Sequence, residues 1–543
     1  MPHYSSIGHY LLTRLYDNGV HHLFGVPGDY ILRFYQQIYD SPIRHIGTTR
    51  EDTAAFAADG YARCRGLSAV AVTYGVGALN VVNPIAGAYA ESSPVVIISG
   101  APGVDEQRDD PLLHHRFGPF RFQREIFERI TCASAVLDDP YTALRQIDRV
   151  LTAAREYSKP VYIEIPRDRV ETEGFSMPPE SFVASGSDAA SLQEAVEETL
   201  QLLSVATTPV LIAGVEIHRR GLQQKLREIV DLGQLPLAAT LTGKSVIDEH
   251  HPHYLGIYEG AMGSVPARAR VEQADLVMLL GVTLNDVDSG IYTAKIDANR
   301  MIRASLGEIY IHHHRYPRVL LADYVAALRD RMRPSNKPAL VLQAVDDDPT
   351  FPLSGQPIKL SRLISRLNRL LTPEMVVVSD TGDCLFAAID LKVHESSFIA
   401  NAFYTSMGFA VPAALGVQAA CPERRALILV GDGAFQMTGT ELSTIARLGL
   451  NPIVVVFNNR GYSTERFILD GPFNDISSWR FERLGEVFGP LAGFEAGVEE
   501  ELEAALAGAL AMRDRPSIIN VHLEPGDPSP GMRRLAEHLG NKI

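Results

Sequence analysis

The sequence contains very little of what would mark a membrane-bound or exported protein. No window approaches about 18 uninterrupted apolar residues, so no membrane-spanning helix is expected. The N-terminal segment lacks a basic stretch followed by an apolar core, so no signal peptide is predicted. Hydrophobic residues make up 46% of the chain and charged residues 21%, which is typical of a globular protein in water.

Cysteine is scarce, and its four positions show no pairing. Cys64, Cys132, Cys384 and Cys421 are scattered along the chain. A disulfide framework and a zinc site both need cysteines at short, regular spacings. The thiols are therefore expected to be reduced, as in a cytoplasmic protein.

Positive charge is also in short supply. The chain has 50 lysines and arginines against 65 aspartates and glutamates, which gives a formal net charge of −15. A surface that binds nucleic acid or an anionic membrane needs an excess of positive charge. We therefore expect neither nucleic acid nor membrane as a partner.

The chain is too long for one hydrophobic core, and its 543 residues suggest about three domains. Residues 67–100 alternate apolar strand, glycine turn, small-residue helix and apolar strand, which is typical of a parallel sheet covered on both faces. Polar stretches rich in proline, serine and glycine predict linkers at 171–190 and 334–357. The predicted fold is α/β, with three doubly wound domains of mainly parallel sheets at residues 1–175, 190–335 and 357–543.

Residues 426–465 predict one βαβ unit with a polar turn at the end of each strand. The first apolar run ends in Gly431-Asp432-Gly433, a helix is predicted over Met437 to Leu448, and the second run ends in Asn458-Asn459. The carboxyl ends of neighbouring parallel strands form the ligand-binding edge of open α/β sheets. Gly-Asp-Gly alone is a common turn without a ligand. Paired with a second polar turn, its carboxylate and an amide oxygen favour Mg²⁺ and a diphosphate.

This pairing resembles the diphosphate-binding signature of thiamine diphosphate (ThDP) enzymes, in which Gly-Asp-Gly is followed by Asn-Asn one helix and one strand later. The resemblance extends over nearly the whole chain, with pyrimidine-binding, middle and diphosphate-binding domains in that order. It implies ThDP and Mg²⁺ as cofactors. The metal would be held by Asp432, Asn459 and Gly461.

Glu51 opens a predicted helix after Thr48-Thr49. An acidic residue at this position can simply complement the helix dipole. The surrounding sequence TREDTAAFAADGYAR, however, resembles the pyrimidine-binding domain, whose glutamate hydrogen-bonds a pyrimidine ring nitrogen of the cofactor. The resemblance implies that Glu51 promotes the imino tautomer of the 4′-amino group and so the ylide of ThDP.

The resemblance implies further contacts with the cofactor. The carbonyl of Thr405 would accept from the 4′-amino group, and Met407 would wedge ThDP into a bent shape, although methionine is also an ordinary core filler. The other predicted contacts lie near the diphosphate: Thr381, Gly382, Asp383, Gly433 and Ala434.

Four residues resemble the pattern of the 2-oxo acid decarboxylases within this family. They are His114 and His115, Asp29 in GVPGDY, and Glu465, which stands six residues after the asparagine of the predicted metal site. Adjacent histidines taken alone are more often solvated or core residues. Together these groups imply acid–base catalysis, because the enamine left by loss of CO₂ must be protonated and a hydroxyl must then lose its proton to release the aldehyde.

Substrate choice depends on two positions. Leu385 and Val287 stand where pyruvate-specific members carry tryptophan and tyrosine, and less bulk leaves space for an aryl or long alkyl group. The predicted function is decarboxylation of an aromatic or bulky 2-oxo acid such as phenylpyruvate or indolepyruvate. Pyruvate and branched-chain acids stay open, since Glu465 resembles the pyruvate and indolepyruvate enzymes.

Three other functions stay open at this point: a ThDP-dependent carboligase, an FAD-containing synthase, and a non-catalytic nucleotide-binding module. The resemblance also implies an active site formed between subunits, with Glu51 from one chain and Asp432 from another. A homodimer or homotetramer is therefore expected.

Overall fold

The computed structural model describes residues 6–175, 186–335 and 353–539. Half of the first predicted linker and most of the second lie outside the described residues. The first helix is capped by Ser6, whose side chain accepts a hydrogen bond from the backbone N–H of His9. None of the described helices is long and apolar enough to cross a membrane.

The first part of the chain forms a six-stranded sheet with helices on both faces. Its strands are β1 (His22–Gly25), β2 (Arg44–Gly47), β3 (Ser68–Val72), β4 (Val95–Ala101), β5 (Ser134–Val136) and β6 (Val161–Pro166). Its helices are α1 (Ile7–Asp17), α2 (Leu32–Tyr39), α3 (Glu51–Arg65), α4 (Val76–Asn80), α5 (Val82–Ala90), α6 (Phe122–Phe127) and α7 (Ala143–Tyr157). The strand order is β2-β1-β3-β4-β6-β5, and all pairs are parallel.

The middle part forms a seven-stranded mixed sheet. Its strands are β7 (Pro209–Ala213), β8 (Leu237–Ala239), β9 (Tyr254–Ile257), β10 (Leu276–Leu280), β11 (Met301–Ser305), β12 (Glu308–Ile311) and β13 (His314–Pro317). Its helices are α8 (Ala189–Val205), α9 (Val215–Arg219), α10 (Gln223–Gly233), α11 (Val265–Gln273) and α12 (Leu321–Arg331). In the order β13-β12-β11-β10-β7-β8-β9, strand β12 pairs antiparallel with both β11 and β13, and the other pairs are parallel.

The last part forms another six-stranded parallel sheet. Its strands are β14 (Met375–Ser379), β15 (Phe398–Ala400), β16 (Arg425–Gly431), β17 (Ile453–Asn458), β18 (Ala492–Ala496) and β19 (Ser517–His522). Its helices are α13 (Leu360–Asn368), α14 (Asp383–Ala387), α15 (Ala410–Ala420), α16 (Asp432–Thr438), α17 (Leu442–Arg447), α18 (Ser463–Ile468), α19 (Gly485–Phe488), α20 (Glu499–Ala511) and α21 (Pro530–Leu539). The order β15-β14-β16-β17-β19-β18 repeats the topology of the first sheet. The predicted α/β class with three mainly parallel sheets is therefore confirmed.

The predicted βαβ unit is present, but its helix differs from the prediction. Strands β16 and β17 pair in parallel, as predicted. The helix begins at Asp432 rather than Met437, and a 3₁₀ turn at Gly439–Glu441 divides it into α16 and α17. Asp432 and Gly433 therefore lie in the first turn of a helix and not in a loop before it.

Helices α3 and α15 join the first and last parts of the chain. A Cβ atom at Gly416 would lie 1.8 Å from the carbonyl oxygen of Ala57, and one at Gly60 would lie 2.3 Å from that of Ala413. Only glycine allows such close contact of two backbones. The two helices share one hydrophobic core cluster, which fixes the first and last sheets relative to each other.

Candidate active site

Asp29, His114 and His115 come together beyond the carboxyl ends of β1 and β4. The Nε2 atom of His114 lies 2.7 Å from Oδ2 of Asp29, and the rings of the two histidines lie 4.8 Å apart. Tyr30 stacks on His114, with ring centroids 4.8 Å apart, and its hydroxyl donates to the His114 carbonyl. The cluster is partly exposed, so a carboxylate and two imidazoles are open to a small molecule.

Glu51 lies in the first turn of α3, as predicted, and its carboxylate has a partner that the sequence did not reveal. The side-chain amide of Asn80, the last residue of α4, donates to Oε2 of Glu51 at 2.8 Å. Gly77 lies beside the other oxygen, since a Cβ atom there would be in van der Waals contact with Oε1 at 3.5 Å. The carboxylate is therefore oriented through Oε2, and Oε1 accepts no hydrogen bond from the rest of the described chain.

A buried glutamate ties the start of α3 to the last part of the chain. Glu441 is completely buried and accepts hydrogen bonds from both the backbone N–H and the hydroxyl of Thr49, the latter at 2.7 Å. Thr49 stands two residues before Glu51, so Glu441 fixes the approach to this helix.

The predicted metal ligands also converge. Asp432 is 2% exposed, and its two carboxylate oxygens accept from the backbone N–H groups of Gly433 at 2.8 Å and Gly461 at 3.2 Å. Burial raises the pKa of Asp432 to about 6. Within the described residues the buried Oδ1 atom of Asn459 has no hydrogen-bond partner.

An oxygen buried in this way requires a partner, because an unsatisfied polar atom costs about 1–3 kcal/mol. A hard divalent cation takes carboxylate and amide oxygens, so the donor set of Asp432 and Asn459 fits such an ion. Gly433 must lack a side chain here, since a Cβ atom would lie 2.5 Å from the ring of Tyr462.

The predicted diphosphate loop lies next to the segment that carries Glu465. Gly382 has φ of +101°, and a Cβ atom there would lie 3.9 Å from the hydroxyl of Thr464. Glu465 is exposed in the first turn of α18. The Asp383 carboxylate turns away from this loop and accepts from the backbone N–H of Ser529 at 3.1 Å.

Asp380 is a site residue that sequence reasoning missed. Its buried carboxylate accepts from the backbone N–H groups of Thr381, Gly408 and Ala410, at 2.8 to 2.9 Å. Burial raises its pKa to about 6. Asp380 thus connects the end of β14 to the start of α15, on either side of the predicted cofactor contacts. Its position directly after an apolar strand, at the edge where such sheets bind ligands, could have identified it from the sequence.

Thr405 and Met407 lie in the segment that Asp380 fixes. Thr405 adopts a left-handed backbone with φ of +55°, and its N–H donates to the side chain of Asn401 at 3.1 Å. Met407 is half-buried against the core cluster shared by α3 and α15. One part of its side chain therefore packs in the core, and the rest is accessible.

A second missed residue, Glu91, holds the same segment from the first part of the chain. Glu91 is 5% exposed and accepts from the backbone N–H groups of Phe403 at 2.7 Å and Tyr404 at 3.1 Å. Arg63 donates to its other oxygen at 2.9 Å and to the Ala400 carbonyl at 2.6 Å. No local pattern predicted this contact, because the partners are more than 300 residues apart.

Replacing Glu91 by glutamine is expected to lower kcat/KM for the 2-oxo acid by about tenfold, because charge-assisted hydrogen bonds contribute about 1.5–3 kcal/mol. The weakened contacts would free the segment before Thr405 and raise the ThDP concentration needed for half-maximal activity. Steady-state kinetics at several ThDP concentrations test this. Glu125→Gln, which breaks a surface ion pair with Arg121, is the matched control. Equal effects of both variants would contradict the prediction.

A buried hydrogen-bond network underlies the loop of His115. The Gln123 side chain accepts from the backbone N–H of Gly75 at 2.7 Å and donates to the Tyr162 hydroxyl at 2.7 Å. Tyr162 donates in turn to Glu164 at 2.5 Å. Gly75 is in contact with His115, since a Cβ atom there would lie 2.3 Å from the His115 carbonyl oxygen. Burial raises the pKa of Glu164 to about 7.

The raised pKa of Glu164 predicts a loss of stability with rising pH. Between about pH 4.5 and pH 7 the folded protein keeps a proton that the unfolded chain releases, so the free energy of unfolding falls through this window by up to about 3 kcal/mol. Glu164→Gln cannot ionise and should remove this part of the decline. Thermal melts of both proteins at about pH 5 and pH 8 provide the measurement. Identical pH dependence in the two would show that Glu164 ionises normally.

The two predicted substrate-pocket residues lie against the core shared by the middle and last parts of the chain. Leu385 is completely buried in that core cluster, and Val287 is half-buried against it. Their contact with a substrate stays a prediction.

Three family models match the chain in the predicted order. Residues 5–124 match the N-terminal TPP-binding domain of thiamine pyrophosphate enzymes, residues 196–328 match the central domain, and residues 380–521 match the C-terminal TPP-binding domain.

Curated relatives are similar over almost their whole length. Indole-3-pyruvate decarboxylase of Azospirillum brasilense is 37% identical over 533 residues, which cover 97% of each chain. Alpha-keto-acid decarboxylase of Mycobacterium ulcerans is 35% identical, over 98% of this chain and 96% of its own. The Mycobacterium tuberculosis H37Rv enzyme of that name is 37% identical, over 95% of this chain and 94% of its own. The chain therefore belongs to the thiamine pyrophosphate enzymes, in the branch of the 2-oxo acid decarboxylases.

Proposed function

We propose that this protein converts an aromatic or other bulky 2-oxo acid to the aldehyde and CO₂ without oxidation, with ThDP and Mg²⁺ as cofactors. The observation that carries the proposal is the cluster of Asp29, His114 and His115, a carboxylate and two imidazoles in a member of this family, with Asp29 and His114 in contact at 2.7 Å. The name of the Azospirillum relative supports a substrate with an aromatic side chain.

Mg²⁺ would be held by the carboxylate of Asp432, the unpartnered oxygen of Asn459 and the carbonyl of Gly461. Backbone groups of Gly382 and Ala434 would hold the diphosphate, as in the family pattern. Gly433 and Thr381 would line the same site, although their N–H groups already donate to Asp432 and Asp380. Asp383 is a weaker candidate for this role, because its carboxylate already accepts from Ser529. Asn459 supplies the strongest support, since its buried oxygen has no other partner among the described residues.

ThDP, when bound, supplies the carbon nucleophile and the electron sink for loss of CO₂. Glu51 would exchange a proton with the pyrimidine ring through the oxygen that Asn80 leaves available. Thr405 would orient the 4′-amino group by its carbonyl, and Met407 would press the cofactor into its bent shape.

The remaining proton transfers would belong to Asp29, His114, His115 and Glu465. Asp29 and His114 share a hydrogen bond, so one can hold a proton while the other accepts one. The exposed Glu465 would reach the substrate from the last part of the chain. We also propose that the site is completed between subunits, with a homodimer as the smallest active unit and a homotetramer as the larger form.

A panel of 2-oxo acids tests the proposed function. Pyruvate, a branched-chain acid, phenylpyruvate and indolepyruvate would be assayed for CO₂ and aldehyde release with and without ThDP and Mg²⁺. We expect the highest kcat/KM with an aromatic acid and no turnover without cofactors. A preference for pyruvate would overturn the substrate class, and carbon–carbon bond formation without aldehyde release would favour a carboligase.

A further inference from the structure

Two groups of three metal-ligating side chains converge among the described residues, and one of them lies outside the active site. It consists of Asp248, His250 and His394, one ligand atom from each lying within 4.8 Å of the others. Asp248 and His250 belong to the loop between β8 and β9, whereas His394 precedes β15. The group therefore spans the junction of the middle and last parts of the chain.

Each of the two histidines contacts a different oxygen of the same carboxylate. The Nδ1 atom of His250 lies 2.9 Å from Oδ1 of Asp248, and the Nδ1 atom of His394 lies 2.8 Å from Oδ2. The imidazole rings are stacked, with centroids 4.7 Å apart and planes inclined by 25°. Two imidazole nitrogens and a carboxylate thus converge on one small volume.

The neighbouring residues hold this arrangement in place. The backbone N–H of Glu249 donates to the Val393 carbonyl at 3.0 Å, and the Val393 N–H donates to the Glu249 carboxylate at 3.1 Å. Glu249 is itself fixed by a buried ion pair with Lys244 at 2.7 Å. Asp248 and His394 are the sequence neighbours of Glu249 and Val393, which these hydrogen bonds hold together. The backbone at both positions is therefore already ordered and loses little conformational entropy when a ligand binds.

The chemistry of the group selects the ligand. Two imidazole nitrogens with one carboxylate suit borderline divalent ions such as Zn²⁺, whereas Mg²⁺ prefers oxygen ligands. We propose that Asp248, His250 and His394 bind one Zn²⁺-like divalent ion, with water in the fourth position, that joins the middle and last parts of the chain. The side chain of His250 is 49% exposed and that of Asp248 41%, so an ion can enter from solvent.

Zinc titration of the untagged holoenzyme, loaded with ThDP and Mg²⁺, tests the proposal. Because Asp29, His114 and His115 form the other convergent group, the informative quantity is the difference between wild type and site variants. We expect His394→Ala and His250→Ala each to lower the affinity for one equivalent of zinc by at least about tenfold. In a Co²⁺ titration, the visible d–d absorption of cobalt bound by imidazole should be weaker in His394→Ala than in wild type, by the share of one site.

His251→Ala is the matched control, because His251 lies in the same loop but pairs with Asp231 at 3.0 Å. It should bind zinc as wild type does. Zn²⁺ should also raise the melting temperature of wild type and of His251→Ala, but not of the site variants. Equal zinc affinity and stoichiometry in wild type, His250→Ala and His394→Ala would overturn the proposal, as would an equal loss in His251→Ala. Should His394→Ala fail to fold, Asp248→Asn, which changes an exposed oxygen to an amide, replaces it in the same measurements.

Discussion

Replacing Glu51 by glutamine is expected to lower kcat by about 10²- to 10⁴-fold, the range contributed by one positioned general acid–base group. Glutamine keeps the size of the side chain and can still accept from Asn80 by its amide oxygen. It cannot exchange the proton that activates the pyrimidine ring. Single-turnover assays with saturating ThDP and Mg²⁺ provide the measurement, since cofactor binding then does not limit the rate.

Asp52→Asn is the matched control for Glu51→Gln. Asp52 lies in the same first turn of α3 and pairs with Arg50 at 2.9 Å. Its replacement removes the same negative charge from the helix N-terminus, which contributes about 0.3–1 kcal/mol to stability. If both variants lost activity equally, Glu51 would act through the helix dipole and not as an acid–base group.

Replacing Asp432 by asparagine is expected to weaken the binding of ThDP with Mg²⁺ by at least about 100-fold, because the change removes the charged group of the proposed metal site. The new amide N–H₂ group would also face the backbone N–H of Gly433 or Gly461, where an oxygen now accepts. Equilibrium dialysis of ThDP and the melting temperature at increasing cofactor concentrations measure this loss without relying on activity.

Asp470→Asn serves as the control for Asp432→Asn. Asp470 is an exposed carboxylate after α18 that pairs with Arg466 at 3.2 Å. Its loss should leave ThDP affinity unchanged. Wild-type cofactor affinity in Asp432→Asn would rule out this carboxylate as a metal ligand.

The two inactive variants together also test whether the site lies between subunits. In co-expressed Glu51→Gln and Asp432→Asn chains, random pairing makes half of the dimers mixed, and each mixed dimer has one intact site. Activity should then return to about a quarter of the wild-type value. A site built from Glu51 and Asp432 of one chain would show no recovery.

The sequence by itself predicted much of the fold. Apolar runs ending in glycine-rich polar turns report short-range structure, so the α/β class, the start of α3 at Glu51 and the strands flanking Asp432 were all predictable. The division of the helix after Asp432 was not, because the turn at Gly439–Glu441 interrupts an otherwise helical pattern. Motif spacing also indicated the ligand-binding turns, since each follows directly after its strand.

Only the tertiary structure decided which side chains support the site. Asn80 orients Glu51, and Glu91 holds the segment before Thr405 from the other end of the chain. Asp248 and His394 likewise meet across 146 positions. Periodicity and local propensity carry no information on such pairs. The pairs of Glu91 and of Asp248 depend on how separately folded sheets pack. For the first and last sheets, which Glu91 connects, that packing is set by the close contact of α3 and α15 at Gly60 and Gly416.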